Sequence, residues 1–455
     1  MSETANSRSP GFKLAMVLLV AFLLSIPLFT IWLLVYDREQ QSQTALTSIA
    51  EGWGGPQVLS GPYLMIPYHA ETNETVTENG QQTTRTREVW RELTLAPESF
   101  ELATQIDPER RQRSIYEAIV YMAANEGQAV YRLPADLMRQ GVDPTTLAFD
   151  RAELRFGLSD MRGIQRAEIR FDGEPVALTP GGGNRSGFSA AVDASAIADR
   201  PLEASLAFEV RGNQRLSLMP HAGYTDWQVS SSWPHPSFTG GFSPEREIDG
   251  EGFTASYSVP NLALGRSLVM TGDAAAEEMV VAQPSLDPRY DVPAATTEAR
   301  VGLFQPVDLY SQVDRSVKYG FLIIGFTFLA YLMFDLIGGV RVSTIEYLLL
   351  GAALVLFFVM LLAFAEIIGF AWAYIVAAAA IVGLNTAYSA AVLGSWRRAG
   401  MMGALMIGLY AAIYALLNLE SLSLLIGSLM LFAALAAVMY LTRNIDWGRS
   451  AAEAQ

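Results

Sequence analysis

Apolar residues are distributed along this chain in a way that admits few folds: a long uncharged run near the start, a nearly continuous apolar region at the end, and 280 residues between them (37–316) that hold most of the charge. Leu14 to Val35 is 22 uncharged residues, interrupted only by Ser25, Pro27 and Thr30. At about 1.5 Å per residue such a helix crosses about 30 Å of hydrocarbon. It is longer than a secretory h-region, and it runs into Tyr36, Asp37, Arg38 and Glu39 with no small-residue cleavage site. A retained signal anchor is predicted. Arg8 and Lys13 precede it and place the N-terminus in the cytoplasm.

From about residue 317 the hydropathy breaks at Gly338–Thr344, Glu366–Gly369, Ser395–Gly400 and Asn418–Ser421, which gives five spans at 318–337, 345–365, 370–394, 401–418 and 422–441. With the N-terminus inside, the cytoplasmic breaks hold Arg341, Arg397 and Arg398, and the tail holds Arg443 and Arg449. The two external hairpins hold only Glu366 and Glu420. Helix count and charge bias agree. The predicted layout is a cytoplasmic N-terminus 1–13, a first transmembrane helix 14–36, a periplasmic β-rich domain 37–316, a five-helix transmembrane domain 317–442 and a cytoplasmic tail 443–455, in the inner membrane of a bacterium.

Residues 37–316 carry 23 of the 31 basic residues and 39 of the 46 acidic ones. Nucleic acid is therefore excluded as a partner, since phosphate binding needs a basic patch. Within this segment Val89–Leu95, Ile115–Tyr121, Ala129–Leu133, Ala152–Phe156, Ala167–Phe171, Leu202–Val210 and Thr225–Ser231 alternate apolar with polar residues, the period of half-buried strands. Turn residues such as Asp172-Gly173 and Gly240-Gly241 separate several of them. One or two antiparallel sandwich-like units are predicted, with short helices at Pro134–Gln140 and Ala275–Val281 and an exposed polar loop at Thr72–Thr86.

Chemistry-bearing patterns are sparse. There is no cysteine, and His69, His221 and His235 lie too far apart for a helical metal spacing. No catalytic, cofactor or metal residue is assigned, and the three histidines read as turn or surface residues. Asp335, Glu346, Glu366 and Glu420 fall at helix ends and not at span centres, which favours a structural bundle over a solute pathway. Two features stand out. Arg315 and Lys318 sit at the outer mouth of the second span, against the charge bias and, if a helix begins there, against its dipole. Either they capture a lipid phosphate, or they are a snorkelled interfacial anchor paired with Asp308 or Asp314. The other feature is the segment around His235, where prolines 234 and 236 fix the backbone and Trp233 and Phe238 flank it. A rigid loop is predicted, as a recognition surface or as a structural corner.

Five segments in order then match a known pattern: Gly61-Pro62-Tyr63-Leu64-Met65-Ile66-Pro67, the run Ser231 to Phe238, Asp314-Arg315-Ser316-Val317-Lys318-Tyr319-Gly320, Glu346-Tyr347-Leu348-Leu349-Leu350-Gly351, and Thr442-Arg443-Asn444-Ile445-Asp446-Trp447. On these the chain resembles the CreD family of bacterial inner-membrane proteins over nearly its whole length. The resemblance implies an inner-membrane protein of the envelope stress response, associated with two-component regulation and with altered tolerance of β-lactams and detergents, and the function expected is a non-enzymatic contribution to envelope integrity. It carries over no catalytic residue. The expected partners of the chain are the phospholipid bilayer and either anionic headgroups or other envelope proteins. The competing expectation is a carrier or flippase for a lipid or cell-wall precursor.

Overall fold

A computed structural model describes residues 10–78, 81–113, 116–135, 137–181, 186–271, 297–303, 309–337, 342–418 and 423–443, and divides the chain into a helical unit (Met1–Gln41 with Val307–Gln455) and a β-rich unit (Ser42–Pro306). The helices are α1 Pro10–Trp53, α2 Leu309–Lys318, α3 Gly320–Ile337, α4 Thr344–Ile368, α5 Phe370–Val392, α6 Trp396–Asn418 and α7 Ser423–Thr442. Six spans are long and apolar enough to cross a membrane, α2 and α3 together making one of them. Two boundaries differ from the sequence expectation. The first helix continues past Tyr36 to Trp53, because Gln, Ala, Glu and Leu keep helical propensity after the apolar run has ended. The second span already begins as helix at Leu309, where an amphipathic turn precedes the apolar stretch.

In the helical unit, Val17, Val20, Leu24, Ile31 and Val35 form the buried face of α1, at helical spacing, while Leu18, Leu19, Phe22 and Ile26 are exposed. Leu24 and Leu28 lie against Gly351 and Gly320. A Cβ on Gly351 would collide with Leu24 and Phe328, so only glycine allows this approach. Large rings fill the interior. Phe357 lies 5.3 Å from Tyr374 and 4.7 Å from Tyr410, and Phe328 lies 5.4 Å from Tyr347, centroid to centroid. Helix α4 starts on a capping box, with the Ser343 hydroxyl accepting from the Glu346 N–H and the Glu346 carboxylate accepting from the Ser343 N–H.

The strands of the β-rich unit are, in chain order, β1 Gln57–Glu78, β2 Gln81–Leu95, β3 Ser99–Arg113, β4 Tyr116–Tyr131, β5 Ala152–Leu158, β6 Ile164–Phe171, β7 Glu174–Pro175, β8 Thr179–Pro180, β9 Gly187–Val192, β10 Leu202–Asn213, β11 Arg215–Met219, β12 Tyr224–Ser231, β13 Pro236–Gly240, β14 Glu245–Ile248, β15 Phe253–Pro260, β16 Val269–Thr271 and β17 Ala299–Leu303. They form a nine-stranded sheet containing the path β13-β17-β11-β1-β5-β9-β8, with β2 joining β1 to β16, and an eight-stranded sheet ordered β14-β15-β12-β3-β4-β10-β6-β7. Both sheets bury their inner faces in one core, with Leu64, Leu154 and Leu216 from the first and Phe100, Leu206 and Trp227 from the second. Alternation decides which side each residue takes: in β15, Phe253, Ala255, Tyr257 and Val259 are buried and the residues between them exposed. Most neighbours are antiparallel, but β1 pairs with β11 and β12 with β3 in parallel.

Three local expectations need revising or fall out of reach. The stretch Thr72–Thr86 is not a loop. Its backbone continues the β1–β2 ladder, from Thr72 opposite Arg87 to Glu78 opposite Gln81. Threonine-rich strands polar on both faces show no period-2 signal. Pro134–Gln140 contains a 3₁₀ turn at Leu137–Gln140, and Ala275–Val281 lies outside the described residues.

Candidate functional site

The cations Arg315 and Lys318 stand in the last turn of α2, not the first turn of a helix, because the helix breaks at Tyr319 before α3 starts at Gly320. The C-terminal end of α2 favours the cations while the N-terminal end of α3, two residues on, opposes them, so the dipole penalty expected from sequence largely cancels. Lys318 Nζ lies 2.6 Å from Asp314 Oδ2, one turn earlier. Asp314 also accepts a 2.9 Å hydrogen bond from the Trp32 indole of α1. Asp308, the other expected partner, lies outside the described residues. At the same end of the bundle Glu366 sits between Arg38 at 3.8 Å and the Tyr310 hydroxyl at 3.3 Å. Replacing Arg315 and Lys318 together with Gln should lower thermal stability slightly, by no more than about 1 kcal/mol for so exposed a pair. The shift should be the same with and without phosphatidylglycerol or cardiolipin, and a lipid response present only in the wild type would revive the phosphate reading.

At the opposite end of the bundle, Lys13 Nζ lies 2.8 Å from Asp335 Oδ1, and the Asp335 side chain is only 1% exposed. The chain has two lysines, Lys13 and Lys318, and both are ion-paired. Further in, the Tyr331 and Ser389 hydroxyls are hydrogen-bonded, while Thr327 Oγ1, Tyr347 OH and Asn385 Nδ2 are buried with no partner among the described residues.

In the β-rich unit the segment singled out around His235 links β12 of one sheet to β13 of the other. Trp233 is buried in the shared core, with the Arg110 guanidinium 5.3 Å from its ring centre. Phe238 packs edge-on to Phe253 at 5.5 Å. His235 is exposed. The residues are thus brought together as a corner between two sheets, with the histidine on its outer side.

His221, expected in a turn or at the surface, is buried. Its ring lies 4.4 Å from that of Tyr63, with Nδ1 3.2 Å from the Met219 carbonyl and Nε2 3.2 Å from that of Pro62. A neutral imidazole donates through one nitrogen only, so the second carbonyl faces a lone pair. Both carbonyls favour the imidazolium, but burial outweighs them and pushes the pKa from 6.5 down to about 4. The unfolded chain therefore takes up a proton as pH falls through 6.5, and the folded one only near 4. Stability should be full above pH 6.5 and decline by about 3 kcal/mol on acidification toward pH 4. Thermal unfolding between pH 7.5 and 4.5 checks this, and His221→Phe should flatten that part of the profile. No residue near His221 in sequence announces the site, since its partner Pro62 is 159 positions away.

The long helix α1 ends in a cation sandwich: the Trp53 ring lies between the guanidinium groups of Arg111 and Arg211, at 3.7 and 4.2 Å, and its indole N–H donates to the Tyr121 carbonyl. Next to it Gln57, fully buried, donates to the carbonyls of Asp160 and Arg211. The Asp160 carboxyl accepts from the Gly55 N–H and from Arg162; although partial burial raises its pKa, these bonds outweigh that and hold it below the usual carboxylate range.

Comparison with known proteins identifies a family and a full-length relative. The model for the family described as inner membrane protein CreD matches residues 9–448. The inner membrane protein CreD of Escherichia coli (strain K12) is 29% identical over 452 residues, which cover 97% of this chain and 94% of the relative. Among solved structures, an M1 zinc metallopeptidase from Deinococcus radiodurans aligns with 46% of this chain and 42% of its own at 9% identity and a TM-score of 0.20. A mutant of that enzyme with bound substrate gives 0.19. Neither value supports an argument about fold or activity. The match over nearly the whole length, on a chain with six apolar spans and a large β-rich unit, shows that it belongs to the CreD family of inner-membrane proteins.

Proposed function

We propose that the protein contributes to cell-envelope integrity without catalysing a reaction: the helical bundle anchors the β-rich unit at the periplasmic face, with both termini in the cytoplasm. The observation that carries this reading is the ring-packed interior of the bundle. Phe328 packs on Tyr347 and Phe357 on Phe358, all four fully buried, and Lys318 is tied to Asp314 at the rim. An interior filled to this degree suits an anchor better than a conduit. A strain lacking the protein should tolerate detergent and β-lactam less well or differently from its parent, and the wild-type chain supplied in trans should restore the parental response. Unchanged tolerance in the deletion would refute the proposal.

The carrier or flippase reading keeps one observation in its favour, the buried polar atoms of Thr327, Tyr347 and Asn385, which have no partner among the described residues. Purified protein in liposomes should not accelerate the transbilayer movement of a fluorescent phospholipid. Acceleration above protein-free vesicles would replace the anchor with a flippase.

A further inference from the structure

We draw no further inference here: the strongest candidate, the side-chain cluster of Thr327, Tyr347 and Asn385 buried between α3, α4 and α5 of the bundle, belongs to the carrier reading already described, and nothing in the structure shows what its polar atoms would bind.

Discussion

Replacing Trp233 with alanine is expected to destabilise the full-length protein by about 3–5 kcal/mol. The indole is buried where the chain crosses from β12 to β13, and it is part of the single core that both sheets share. Its removal opens a cavity at a point where the backbone, bounded by Pro234 and Pro236, has little freedom to collapse. The Arg110 guanidinium above the ring loses its partner as well. His235→Ala, two residues on at an exposed position, should change stability by less than about 0.5 kcal/mol. Denaturant unfolding of both variants in micelles separates the two roles. A loss below about 1 kcal/mol for Trp233→Ala would show that the corner is not a packing element.

The second large effect is expected at Lys13. Its ammonium is the partner of Asp335, whose carboxylate is almost wholly enclosed by the bundle. Lys13→Met leaves that carboxylate buried and uncompensated, and breaking a buried pair from one side costs about 3–5 kcal/mol. Removing both charges, in Lys13→Met/Asp335→Leu, should recover most of the loss, because the desolvation cost disappears with the attraction. Unfolding of the single and double variants in mixed micelles measures the cycle. Equal destabilisation in the two would mean that the pair matters through something other than its charges.

The pair also shows which part of the architecture was legible in the sequence. The six apolar spans announce themselves by length, and the strands whose partners leave one face wet, such as β10 and β12, by their alternation. Where the residues beyond the apolar run are polar but helix-favouring, as in 37–53, hydropathy ends the helix too early. Strand β3 escaped notice because Asp107, Glu109, Arg110 and Arg111 mask its second half, and the Thr-rich hairpin arms because neither face is apolar. The position of Lys318 shows a subtler failure. The residue and its partner Asp314 were identifiable, but the break at Tyr319, which sets a helix C-terminus beside a helix N-terminus and so largely cancels the dipole penalty, is not. Contacts such as Lys13 to Asp335, 322 positions apart, or His221 to Pro62, arise only from the tertiary fold.

The proposed topology holds the β-rich unit outside the cytoplasm by a bundle whose two termini are inside. Fusions of a reporter active only in the periplasm test this directly. The account predicts activity at positions 182 and 369 and none at 338, 400 and 448, whereas activity at 400, or silence at 182, would contradict it.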